Sequence, residues 1–264
     1  MHIHHRLLRA PAAAWGCLAA LGLMSAPVLA AEMPPVEPAR QRLVEAAVER
    51  ARARFTVPPL RADELAVTLV DLTRPGAPAR GSYRGDVPIY PASVVKLFYL
   101  LAVHRWLEDG RLADTPELQR ALRDMIGLSY NEATHYVVDL LTDTTSGPEL
   151  PEAELRVWFD KRNAVNRYLA TLGYTGINVN KKPWCEGPYG RESQAIRAFE
   201  PKRNLLTTDA TARLLFEIVT GQAVSPARSA AMLELMRRDL TATLADPDDQ
   251  APVSYTHLTL PTIY

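Results

Sequence analysis

Apolar positions along the chain follow two rhythms. From Arg42 to Phe55, Leu43, Ala46, Ala47 and Ala51 recur at helical spacing among charged residues, which predicts a surface helix. Leu65 to Leu72 (LAVTLVDL) is rich in β-branched residues and predicts a strand. The TRPGAPA turn over residues 73–79 leads to a second, short strand at Arg80–Tyr83. The helical rhythm then takes over. It predicts a long apolar helix from Ser93 to Glu108 with a stop at Gly110, then helices at Thr115–Gly127 and Asn131–Leu141. A loop at Thr142–Pro151 precedes a helix over Glu152–Leu172, ended by Gly173. Tyr174–Arg203 contains Gly and Pro and has little periodicity. Two more helices are predicted at Thr208–Val219 and Pro226–Leu240. Two strands before a helical middle need further strands to complete a sheet, and these are expected in a carboxyl-terminal piece missing from the chain.

The ends read differently from the middle. Residues 1–30 have the form of a secretory signal peptide. Arg6 and Arg9 precede an uncharged Ala/Leu stretch, and SAPVLA ends at a cleavage site after Ala30. The apolar stretch is short for a membrane span and Pro27 follows it, so no span is expected after cleavage. Residues 31–41 are a Pro-rich lead-in read as flexible. Residues 42–252 form one domain of a size that supports a sizeable core. Residues 253–264 (VSYTHLTLPTIY) carry no charged side chain, resemble a translated adapter read-through and are read as a non-native tail. The domain is therefore expected to be incomplete at its carboxyl end.

Composition narrows the chemistry. The chain has 30 Lys+Arg, 30 Asp+Glu and 47% hydrophobic residues, a globular balance. Removal of residues 1–30 leaves 28 basic residues against 30 acidic ones, which gives no sign of nucleic acid or an anionic membrane as partner. Of six His, only His104 and His135 lie in the domain, with Cys185 as its one Cys. No metal site and no cofactor are implied. His135 is read as half of a helix-face pair with Asp139, His104 as a core-edge residue, and Cys185 as a packed or half-buried thiol.

Two motifs carry chemistry. In Pro91-Ala92-Ser93-Val94-Val95-Lys96, Ser93 opens an apolar helix and Lys96 shares its face. Desolvation favours a neutral Lys, and a neutral amine beside a hydroxyl can make it a nucleophile. The helix start adds N–H donors suited to an oxyanion. The second motif is Ser129-Tyr130-Asn131 at the start of another apolar helix. Read alone, each also fits an ordinary cap, with Lys96 snorkelling.

Together, Ser-x-x-Lys and then Ser-x-Asn resemble the penicillin-recognising serine hydrolases, most closely the class A β-lactamases. Asn204–Ala210 is similar to the segment leading out of that family's omega loop, so the likeness spans about residues 42–240. It implies an α/β (α+β) fold of the β-lactamase/transpeptidase type, with an antiparallel sheet packed on a mostly helical subdomain. It implies Ser93 as acylated nucleophile, Lys96 as base, Ser129 as proton donor to the leaving nitrogen, and Asn131 as substrate-binding residue. Its deacylating Glu normally lies in Glu-x-x-Leu-Asn, a string absent here. Glu186 is the first candidate for that role and Glu192 the second.

Three features depart from the family. Ser93 and Ser129 are only 36 residues apart, Tyr130 stands where an Asp is usual, and no Lys-Thr-Gly follows the last helix. The expected function is an exported hydrolase, periplasmic or secreted and monomeric, that opens β-lactams through an acyl-enzyme. A D-Ala-D-Ala carboxypeptidase on peptidoglycan-like peptides, a non-catalytic penicillin or peptidoglycan sensor, and an esterase are the alternatives.

Overall fold

The computed structural model describes residues 32–237. The segment read as a signal peptide and the segment read as a non-native tail lie outside them. Among the described residues there are nine α-helices and a two-stranded antiparallel sheet. The mixed architecture is the expected one, mostly helical with a small antiparallel sheet. No helix among the described residues is long and apolar enough to cross a membrane.

Helix α1 (Pro38–Arg54) begins with Pro at a position where a missing N–H costs nothing. It lies across the hairpin of β1 (Val67–Asp71) and β2 (Ala79–Tyr83), burying Val44 and Val48. Leu69 pairs with Gly81 in that hairpin. Gly81 is where the α1 backbone comes closest, since a Cβ there would meet the Arg40 carbonyl oxygen at 2.4 Å. The Pro-rich lead-in is not the flexible segment expected. Arg80 donates its N–H to Pro35 O (2.9 Å), and Glu37 N–H donates back to Arg80 O (2.9 Å).

Helix α2 (Lys96–Glu108) is the axis of the molecule. It is buried from Lys96 through His104 and again at Trp106 and Leu107, as an all-round apolar helix must be. Packed around it are α3 (Pro116–Gly127), α4 (Asn131–Thr142), α6 (Ala164–Thr171) and α9 (Pro226–Met236). Thr115 caps α3 as predicted, accepting from Leu118 N–H at 3.2 Å. His104 is not at a core edge but only 3% exposed.

The predicted helix 152–172 is two helices, α5 (Glu152–Arg162) and α6, separated at Asn163. Within Tyr174–Arg203 lies an unpredicted helix, α7 (Gly190–Ala198). Before it, the segment 177–182 is held by asparagines. Asn204 accepts from Lys181 N–H (2.9 Å) and donates to Lys181 O (2.7 Å), as a strand neighbour would. Asn166, Asn178, Asn180 and Asn163 form a chain of amide hydrogen bonds beside it. Residues 205–206 pair with Asn178 on one side and Ile89 on the other. Helix α8 (Thr208–Val219) follows, capped by Thr207, and Asp209 accepts from Ser82 Oγ (2.8 Å), tying it to the sheet.

Candidate active site

The start of α2 sets Ser93 and Lys96 side by side. Ala92–Val95 is a 3₁₀ turn that runs into α2 at Lys96. In a 3₁₀ turn, side chains three residues apart eclipse. Lys96 Nζ accordingly lies 3.1 Å from Ser93 Oγ. Ala92, just before the serine, has φ of 45°. Such left-handed backbone costs on the order of 1–3 kcal/mol at a non-Gly residue and gathers at functional sites.

The second motif arrives from the α3–α4 junction. Ser129 also has a left-handed φ, 56°, which turns the chain sharply between the two helices. That turn directs both its carbonyl and its hydroxyl to Lys96. Lys96 Nζ donates to the Ser129 carbonyl and lies 2.9 Å from Ser129 Oγ and 3.0 Å from Asn131 Oδ1. Asn131 opens α4, so its side chain stands at a fixed helix end. The structure thus brings Ser93, Lys96, Ser129 and Asn131 into one cluster. Beside it is a cavity of about 10 Å³, lined also by Met125, Ile126 and Met236.

Lys96 is 3% exposed. Burial pushes its pKa down to about 8, opposed by the proximity of Cys185 and Glu132. A substantial fraction of the amine is neutral near pH 8. The neutral form has a lone pair for a hydroxyl proton and two N–H groups for Ser129 O and Asn131 Oδ1.

The acidic candidates go elsewhere. Glu186 is exposed, and among the described residues it has no hydrogen bond or ion pair to the cluster. Glu192 is buried in an ionic group. It accepts from Arg162 (2.8 Å) and from Ser146 Oγ (2.9 Å), and Lys182 lies 3.5 Å away. Full pairing by cations makes it a structural anion. Among the described residues, no carboxylate hydrogen-bonds Ser93, Lys96, Ser129 or Asn131.

The residue that does reach the cluster from segment 182–185 is Cys185. Its sulfur accepts from Asn131 Nδ2 at 3.2 Å, and it is exposed, neither packed nor half-buried as expected. Nothing in the sequence near Cys185 signals this, because the contact spans 54 residues. His135 does not pair with Asp139. Its Nε2 lies 2.6 Å from Pro183 O, which can only accept, so that nitrogen carries the proton. Asp139 instead takes Lys182 at 2.7 Å.

A buried helix opening on Ser-x-x-Lys, faced by Ser-x-Asn from a neighbouring helix beside a small antiparallel sheet, has the make-up of the active-site serine class. The Beta-lactamase2 pattern, the beta-lactamase enzyme family, matches residues 60–247, and the chain belongs to that family. The fold is similar to that in the crystal structure of a beta-lactamase from Sphaerobacter thermophilus. The TM-score is 0.51 at 22% identity, over 75% of this chain and 70% of that one. No curated protein sequence matches the chain.

Proposed function

We propose that the protein is a serine hydrolase that opens β-lactam rings through an ester on Ser93. The observation that carries this reading is the shared amine: Lys96 Nζ is within hydrogen-bond distance of both Ser93 Oγ (3.1 Å) and Ser129 Oγ (2.9 Å). Neutral Lys96 takes the Ser93 proton as Oγ adds to the lactam carbonyl. The C–N bond then breaks, Ser129 protonates the departing nitrogen, and the Lys96 ammonium restores the Ser129 proton. Asn131 keeps one amide N–H for a substrate carbonyl. Water finally cleaves the ester to a free acid and Ser93.

The test is mass spectrometry of the full-length protein after exposure to a labelled penicillin. The expected result is one covalent adduct on the peptide containing Ser93, lost in Ser93→Ala. No adduct, or one that survives Ser93→Ala, overturns the mechanism.

A second reading, slow turnover as in a carboxypeptidase or a penicillin sensor, is favoured by one observation. Among the described residues, no carboxylate is hydrogen-bonded to the cluster to activate water. Measuring opened lactam per protein molecule separates the two: many turnovers support the hydrolase and one supports the sensor. Export is part of the proposal, and a mature amino terminus at Ala31 is its expected sign.

A further inference from the structure

Helix α4 holds the Lys182–Cys185 segment by a row of side chains. Asn131, His135 and Asp139 are spaced i, i+4 and i+8 and share one helix face. Each meets the segment in reverse order. Asp139 pairs with Lys182 at 2.7 Å, His135 donates to Pro183 O at 2.6 Å, and Asn131 donates to Cys185 Sγ at 3.2 Å. The His135 ring also lies against Trp184, with centroids 4.2 Å apart. Arg162 and Lys182, with side chains 1% and 2% exposed, anchor the far end of the row on Glu192 and Asp139. Residue 185 is thus delivered to the site by four consecutive residues of contact, not by an unconstrained loop.

We infer that residue 185 decides the fate of the acyl-enzyme, and that the thiol at this position makes it long-lived. This rests on the acylation of Ser93 proposed above. Hydrolysis of the ester needs a side chain that takes a proton from water as its oxygen adds to the carbonyl. Lys96 is neutral after acylation, and its lone pair, 3.1 Å from Ser93 Oγ, is the relay through which Ser93 regains its proton. Among the described residues, the remaining ionisable side chain hydrogen-bonded within the cluster is Cys185. A carboxylate there would accept the proton directly. Sulfur is a nucleophile more than a base.

Cys185→Glu and Cys185→Asp supply the missing group. Water then adds to the ester carbonyl while its proton passes to the carboxylate. The carboxylic acid passes that proton to neutral Lys96, the C–Oγ bond breaks, and Ser93 Oγ takes the proton from the Lys96 ammonium so formed. The net change is ester plus water to free acid plus Ser93 hydroxyl.

The experiment loads full-length protein with a fluorescent penicillin, removes the excess and follows loss of label from the adduct. The expected result is a release rate raised at least tenfold by Cys185→Glu or Cys185→Asp, increasing with pH through the carboxyl range. Glu154→Gln, on the exposed face of α5, releases at the wild-type rate. Release within threefold of wild type in both carboxylate variants overturns the inference while leaving the acyl-enzyme reading intact. So does a tenfold slowing in Cys185→Ala, which would make the thiol an effective base. Absence of any wild-type adduct overturns the acyl-enzyme reading, and this inference falls with it.

Discussion

Asp139 and Lys182, 43 residues apart in sequence, meet at 2.7 Å two turns along the helix that Asn131 opens. The pair belongs to a buried group with Arg162, Glu192 and Ser146. Removing one charge from such a group leaves cations uncompensated, which costs about 3–5 kcal/mol. Glu192→Gln is therefore expected to lower the unfolding free energy by roughly that amount, measured by denaturant titration. A loss under about 1 kcal/mol would mean that the group is solvated and does not anchor the segment.

Lys96 sets a pH dependence for acylation. Burial lowers its pKa to about 8, so below that pH the ammonium predominates and cannot take the Ser93 proton. The acylation rate is expected to climb about tenfold per pH unit from pH 6 and to level off above about 8. Lys96→Arg holds a permanent cation and should lose on the order of 10²–10⁴-fold at pH 8. Rapid-mixing kinetics between pH 6 and 10 give the profile, and a flat one would remove Lys96 from the role of base.

Much of this is legible in the amino-acid sequence. Ser93 and Lys96, and Ser129 and Asn131, are close in sequence, so local geometry places each pair, through a 3₁₀ turn for the first and a left-handed turn into α4 for the second. The helices with apolar stripes, α2 above all, announce themselves for the same reason. Helix α7 did not, because the residues it buries are Glu192 and Ala195, and an ion pair leaves no apolar period to read. The break between α5 and α6 was hidden because Asn163 is tolerable in a helix. It stops this one through its amide, which accepts from Asn180 and donates to Phe159 O. Cys185 is exposed at the site instead of packed or half-buried because tertiary clamps, not local pattern, carry it there.

Gly81 is a sensitive point of the sheet. A methyl group there would sit 2.4 Å from the Arg40 carbonyl oxygen and force α1 away from β2. Gly81→Ala is expected to cost about 1–3 kcal/mol through overpacking, seen as a lowered thermal midpoint. An unchanged midpoint would show that α1 rides loosely on the hairpin.

His104 offers a gain instead of a loss. It is 3% exposed, and among the described residues neither ring nitrogen has a hydrogen-bond partner. An unsatisfied buried polar group costs about 1–3 kcal/mol, so an apolar side chain of similar size should stabilise the fold. Burial, assisted by the Arg228 cation and opposed by Asp114 and Glu108, also lowers its pKa to about 4 from 6.5. The unfolded chain therefore binds a proton between pH 6.5 and 4 that the folded chain refuses, and stability falls as pH drops through that window. His104→Leu removes both effects. It is expected to unfold about 1–3 kcal/mol later than wild type at pH 7 and to widen that lead as pH falls toward 4. Parallel denaturant titrations at pH 7, 5.5 and 4.5 measure it. A lead that stays constant across the three would show that the imidazole is protonated equally in both states, and a destabilised variant would show that its nitrogens are satisfied by water in the native fold.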